Sequence, residues 1–167
     1  MLIPGTPAWD LFCEAQAREQ RETALSPDLA PVVARIAAEL AEGLSRIVPP
    51  DFKVYALRGF IWIGGPKSRF GASGAGFDVT VGANVNAGFT LDESLLIASE
   101  SVLSRVQDGV TEELCVPWPS DPAGGRFAFA VACAEITGGV LRVWFASSDG
   151  VPVTEVVSVA VVSPDGC

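Results

Sequence analysis

The stretch LAPVVARIAAELAEGLSRI, residues 29–47, carries the clearest pattern in the chain. Its apolar side chains recur at spacings of three and four residues, which predicts one buried face of an α-helix. They are Leu29, Val32, Val33, Ile36, Leu40, Leu44 and Ile47. Asp28 stands at the N-cap position, Pro31 falls in the first turn where its missing N–H is harmless, and Pro49-Pro50 ends the helix. Gly43, inside the helix, predicts close packing against another backbone.

Residues 1–25 precede this helix and have a different character. The pattern predicts a helix over residues 9–21 whose apolar side chains all lie at its front, followed by charged residues and glutamine. These apolar residues are Trp9, Leu11, Phe12 and Cys13. Two interpretations remain open: the arm folds back on its own domain, or Trp9 and Phe12 anchor it on another subunit, since aromatic side chains are enriched at interfaces.

The segment after residue 50 changes from helical to strand character. Residues 53–63 are rich in β-branched, aromatic and aliphatic side chains, which predicts one strand covered on both faces. We expect residues 64–76 to form a glycine-rich loop. Apolar and polar residues alternate over residues 77–81, which predicts a half-buried strand, and residues 82–88 are expected to form another loop.

A further helix is predicted to begin at Thr90. Glu93 follows three residues later, which completes a capping box. The apolar stripe behind it consists of Leu95, Leu96, Val102, Leu103, Val106, Val110 and Leu114. The helix closes at Val116-Pro117-Trp118-Pro119, where Trp118 either plugs the end of the core or presents a rigid aromatic ring to a partner.

Strands dominate the last third of the chain. Residues 126–137 and 140–145 flank Gly138-Gly139, a two-residue hairpin turn that needs positive φ. Residues 151–162 follow, and Pro152 places that segment at an edge or at the start of a strand. Alternation in the first of these strands gives one larger apolar face, consisting of Phe127, Phe129, Val131 and Cys133, and an alanine face opposite.

These elements predict an α+β protein: an antiparallel sheet of about five strands with two or three helices packed on one face. We divide the chain into an N-terminal arm with a short helix, residues 1–25, and a single α+β domain, residues 26–167. The residues expected to be buried between helices and sheet are Val33, Ile36, Leu40, Leu103, Val106 and Val110.

The charge balance of the 167 residues, 11 Lys and Arg against 20 Asp and Glu, gives a formal net charge of −9. This argues against nucleic acid and anionic membrane surfaces as partners, since both require a positive footprint. No apolar run reaches the roughly 18 residues of a membrane span, and no signal peptide pattern opens the chain. We therefore expect a cytoplasmic protein.

Reactive and metal-binding side chains are scarce. The chain has no histidine, and its four cysteines are dispersed without a CxxC pair, so we expect no metal and no other cofactor. Cys115 and Cys133 are expected to be small core residues. The carboxylate pairs Asp92-Glu93 and Glu112-Glu113 are explained by helix-end and solvent-exposed positions. We expect no enzymatic activity.

Residues 51–70 stand out from the acidic background as the basic part of the chain. They contain Lys53, Arg58, Lys67 and Arg69 against Asp51, a local balance of +3. These cations could dock on an acidic partner, such as the acidic face of a neighbouring copy, or be ordinary solvated charges.

The segment VLSRVQDGVTEELCVPWP, residues 102–119, contains Gln107-Asp108 and Trp118-Pro119 and is followed by Val143-Trp144-Phe145. Across about residues 90–155 the chain resembles small uncharacterised α+β proteins of high-GC actinobacteria and their phages. The resemblance implies no catalytic residues.

We therefore expect a non-enzymatic structural or interaction protein that is a subunit of a larger assembly, such as a phage virion protein of the head–tail connector, tail-terminator or minor capsid type. Its partners would be other protein subunits, including copies of itself, and it would reside in the virion if phage-encoded. The alternative is a bacterial cytosolic adaptor or chaperone that binds a basic client through acidic surfaces. The candidate partner-binding residues are Trp9, Phe12, Lys67, Arg69 and Trp118.

Overall fold

Four helices and six strands make up the described part of the chain, residues 7–66, 73–125 and 127–161 of a computed structural model. In chain order they are α1 (Pro7–Thr23), α2 (Leu29–Ile47), β1 (Lys53–Leu57), β2 (Phe60–Gly64), β3 (Ser73–Gly76), α3 (Phe77–Asn86), α4 (Leu91–Leu114), β4 (Val131–Thr137), β5 (Val140–Ala146) and β6 (Val157–Ala160). The strands form two antiparallel three-stranded sheets, β1-β2-β3 and β4-β5-β6. The α+β class is confirmed, whereas the single sheet of about five strands with two or three helices is wrong.

Helices α2 and α4 hold the two sheets together. Helix α2 packs against β1 and β6, and α4 packs against β2, β3 and β4. The expected core is confirmed, because all six predicted positions are fully or almost fully buried; they are Val33, Ile36, Leu40, Leu103, Val106 and Val110. The sheets contribute Ile61 and Ile63 from β2 and Leu141, Val143 and Phe145 from β5.

Gly43 brings α2 into close contact with the second sheet. A Cβ built on Gly43 would overlap Val157 Cγ1 and would lie 3.2 Å from Cβ and 3.3 Å from Cγ2 of the same valine. The predicted close approach is confirmed, but it is made to a side chain of β6 rather than to a backbone. At the other end of the helix, Asp28 makes no side-chain cap hydrogen bond, and Ser26 Oγ accepts from the Leu29 N–H at 3.3 Å instead.

Residues 53–63 form a hairpin rather than the single strand expected. Strands β1 and β2 pair in register from Lys53 with Gly64 to Leu57 with Phe60, which leaves a two-residue turn at Arg58-Gly59. Both turn residues adopt positive φ, 51° and 77°. The sequence hid this turn because arginine is an unusual residue in that conformation.

The predicted strand over residues 77–81 is wrong, and so is most of the loop predicted after it, because α3 occupies both. Phe77 and Val81 are completely buried one helical turn apart. Gly82 lies against the backbone of Thr23, where a side chain would not fit. Five alternating residues fit a strand, but the burial of every fourth residue requires a helix. Residues 73–76, also expected to be loop, form β3.

Helix α4 begins as predicted. Thr90 Oγ1 accepts from the Glu93 N–H at 3.2 Å, and Glu93 Oε2 accepts from the Thr90 N–H at 2.9 Å. The helix ends at Leu114, and Cys115 follows with a left-handed φ of 57°. Cys115 is therefore exposed beyond the helix end, and Cys133 is only half-buried, so the prediction that both are core residues is wrong.

The second sheet packs its alanine side inward. Ala132, Ala134 and Ile136 pack against the core on the side of β4 that faces inward, and α4 contacts this strand. The hairpin turn at Gly138-Gly139 is confirmed, with φ of 59° and 72°. The last strand, β6, is shorter than the predicted residues 151–162. Pro152 precedes it and forms an isolated bridge with Ala146 of β5, in agreement with its expected edge position.

Candidate functional site: the outer face of the second sheet

The structure describes one of the five expected partner-binding side chains. Lys67 and Arg69 lie outside the described residues, as do the side chains of Trp9 and Phe12. The ring of Trp118 is half-buried and packs edge-on against Phe145, with 5.6 Å between ring centroids. This contact favours the interpretation that Trp118 plugs the end of the core.

The arm itself is held on the domain at its C-terminal end. Asn86 Nδ2, at the end of α3, donates to the Glu22 carbonyl at 2.8 Å and to the Ala24 carbonyl at 3.1 Å. The last turn of α1 therefore packs on α3 of the same chain. This contact involves neither of the aromatic residues at the front of the helix.

A surface that was not expected from the sequence covers the outer side of β4, β5 and β6. We call it the Trp144 face. Strand register places its side chains in rows: Val131 beside Ala146 and Pro152, Cys133 beside Trp144, and Glu135 beside Arg142 and Ser158. Val156 lines the same surface together with Trp144 and Pro152.

Large apolar side chains on and beside this face are exposed to solvent. Phe127 is 78% exposed, Val131 56% and Phe129 48%, and they lead into β4 at every second residue. Val156, 44% exposed, lines the groove of this face, and Val151, 58% exposed, directly precedes Pro152 in the chain. The predicted division of β4 into two faces holds for its strand residues, but the larger apolar side faces solvent because alanine faces α4.

An ion pair lies in the last of these rows, next to Trp144. Arg142 Nη1 is 3.3 Å from Glu135 Oε1, and both side chains are about half exposed, at 44% and 46%. A shallow groove of about 440 Å³ surrounds the pair. It is lined by Glu135, Arg142, Trp144, Pro152, Val156 and Ser158. Apolar walls around one neutralised ion pair suit protein contact.

Cys133 places a thiol on this face. Burial raises the pKa of the Cys133 thiol, and the negative charge of Glu100 raises it further. Since the thiolate is the reactive form, Cys133 is protonated and a weak nucleophile at neutral pH. In the described ranges, no group of three or more Cys, Asp or Glu side chains is arranged to hold a metal ion.

Two aspartates near the end of the second sheet have a structural role. Asp121 accepts from the Ala123 N–H at 2.8 Å and from the Ser148 N–H at 3.0 Å, which fastens the loop after Pro119 to the β5–β6 connection. Hydrogen bonds from Ser148 hold the pKa of Asp121 below its usual range, despite partial desolvation. The hydroxyl of Ser147 likewise lowers the pKa of Asp149.

The first sheet carries a smaller aromatic surface. Phe60 and Trp62 stack with 5.4 Å between ring centroids, and Trp62 covers Gly74, where a Cβ would lie 2.7 Å from the ring. Tyr55 and Leu57 are exposed beside them on β1. The two rings therefore cover part of each other and of β3.

None of the helices in the described ranges has the length and apolar character needed to cross a membrane. Comparison with protein-family models, with curated proteins and with solved structures finds no match for this chain.

Proposed function

We propose that this protein is a non-enzymatic subunit of a protein assembly and that it binds its partner through the Trp144 face. The observation that carries the proposal is the exposure of Phe127, Phe129 and Val131 in line with the outer side of β4. The inner side of this strand already packs on the core through Ala132, Ala134 and Ile136, so the fold has no structural need for large apolar residues on the other side.

The exposed area supports binding. Taking roughly 200 Å² for a phenylalanine and about 120 Å² for a valine, the five exposed side chains leave on the order of 400 Å² of apolar surface in water. They are Phe127, Phe129, Val131, Val151 and Val156. Burying that surface is worth about 10 kcal/mol before the cost of association is subtracted.

Within this class we propose a virion subunit of the head–tail connector, tail-terminator or minor capsid type. Support comes from the acidic α+β character of the chain and from the resemblance of about residues 90–155 to small uncharacterised α+β proteins of high-GC actinobacteria and their phages. An adaptor that binds a basic client would use the acidic surfaces instead, and the test below separates the two.

The proposal is tested with tagged chains expressed in cells of the natural source, followed by isolation of native complexes and identification of what co-purifies. Val131→Asp places a charge on the Trp144 face, and Leu57→Asp is the matched control, since Leu57 is similarly exposed at 54% but lies on the first sheet. We expect Val131→Asp to lose the native partner and Leu57→Asp to keep it. Retention by both variants would contradict the proposal. If both variants keep the partner at low salt and lose it only at high salt, the result favours the adaptor that binds through its acidic surfaces.

A further inference from the structure

We propose that the partner seated on the Trp144 face is a second copy of this chain, related by a two-fold axis. In that dimer Arg142 of each copy reaches Glu135 of the other. The inference rests on the proposed function, because it uses the same face, and it adds the identity of the occupant.

The charge distribution favours this face for self-association. A chain with a formal net charge of −9 repels its own copy across most approaches. The groove on the Trp144 face holds one acid and one base, Glu135 and Arg142, which pair with each other. Two copies therefore meet with little repulsion at the groove, while the remaining repulsion acts over a distance at which salt screens it.

The geometry of the ion pair is self-complementary. Glu135 and Arg142 are direct cross-strand neighbours, and both remain about half exposed above the sheet. A two-fold contact joins the same patch on both copies in reversed orientation. Glu135 of one copy therefore faces Arg142 of the other, and Arg142 faces Glu135. Each Arg142 then has a carboxylate acceptor on both copies, and every charged side chain of the two pairs has an oppositely charged neighbour.

The apolar area sets the strength of the contact. Two copies that cover the five exposed side chains and the groove around Trp144 would bury roughly 1,000 Å² in total, which is the lower limit for a specific interface. We therefore expect a reversible dimer with a dissociation constant on the order of micromolar. The edge of β6 is less suited to pairing, because Arg35 Nη2 already donates to the Ala160 carbonyl there at 2.9 Å.

The test is sedimentation velocity of the purified chain over a concentration series, at low and at high salt. We expect a monomer–dimer equilibrium that tightens as salt rises, since salt screens the repulsion between two acidic chains. Val131→Asp should weaken the dimer at least about tenfold, and the matched control Leu57→Asp should leave it unchanged. Equal weakening by both variants would overturn the proposal.

A charge exchange tests the Glu135–Arg142 contact directly. Glu135→Arg and Arg142→Glu should each be monomeric, because each places like charges across the two-fold axis. Mixing the two variants should restore the dimer, since every arginine again meets a carboxylate. Thermal melts verify that both variants are folded. We expect them to be, because a half-exposed ion pair contributes little to the stability of the fold. Failure of the mixture to associate would refute the exchanged contact.

A monomeric wild-type chain at all concentrations would overturn the inference on its own. If Val131→Asp still lost its native partner in that case, the assembly function would stand and the occupant would be a different protein. If both variants kept the native partner, the proposed function itself would fail. The two proposals are therefore separable.

Discussion

Substitution of Gly43 by alanine tests how closely α2 packs on the second sheet. The new methyl group would overlap Val157 Cγ1 and crowd two further atoms of that side chain at 3.2 and 3.3 Å, whereas carbon atoms ordinarily approach to about 3.5–4.0 Å. Rotation about χ1 relieves the overlap only if it turns the Val157 Hβ toward Gly43, and the restricted χ1 of a buried β-branched side chain opposes that change. Overpacking of this kind costs about 1–3 kcal/mol, and alanine returns about 1 kcal/mol of helix propensity. We expect Gly43→Ala to destabilise the protein by up to about 2 kcal/mol.

Truncation of Val157 completes a double-mutant cycle with Gly43→Ala. Val157→Ala alone removes two buried methyl groups and should cost about 1–3 kcal/mol. In the double variant the methyl added at Gly43 occupies part of the vacated space, and the remaining contact to Cβ at 3.2 Å requires a shift of only a few tenths of an ångström. The double variant should therefore be more stable than additivity of the two single costs predicts, by at least about 1 kcal/mol.

The assay is urea unfolding followed by circular dichroism. The exposed helix position Ala38, substituted by glycine, reports the propensity term alone on the same helix. Additive costs in the double variant, or a stabilised Gly43→Ala chain, would show that α2 does not pack on β6 at this point.

Three further predictions follow from buried groups. Ser99 Oγ is buried without a hydrogen-bond partner among the described residues, so Ser99→Ala should stabilise the fold by about 1 kcal/mol. Ser94→Ala removes a 2.7 Å hydrogen bond to the Thr90 carbonyl and should destabilise the fold in the same unfolding assay. Leu103→Ala should cost about 2–5 kcal/mol, and a loss below about 1 kcal/mol would contradict the burial of α4. The lowered pKa of Asp121 gives stability that is fully present above the unfolded pKa near 3.9 and is lost as pH falls through the folded value. The stability difference between wild type and Asp121→Asn should therefore shrink from pH 7 to pH 3, and a constant difference would contradict this role.

The elements with strong local signals could be predicted from the sequence. The capping box at Thr90 and Glu93 and the Gly138-Gly139 turn are specified by residues that touch one another along the chain. Helix α3 could not be predicted in the same way. Its short sequence alternates like a strand, and its helical state depends on the burial of Phe77 and Val81 against elements far away in sequence.

The candidate site shows the same limit. Alternation along β4 identified two faces, yet which of them points inward is set by tertiary packing. The inward face carries Ala132, Ala134 and Ile136, so Val131 and Cys133 turn outward. The rule that the more apolar side is buried gave the wrong position for Cys133 for this reason.

Thiol alkylation tests most directly whether the Trp144 face is buried in the native assembly. Cys133 lies on that face beside Trp144, and Cys115 lies exposed at the end of α4, so these two of the four cysteines serve as probe and internal control. Labelling rates are read for each cysteine by mass spectrometry of its peptide, in the dilute chain and in the native complex. We predict that assembly slows the labelling of Cys133 at least about tenfold and leaves that of Cys115 unchanged. An unchanged rate at Cys133 in the complex would contradict the account.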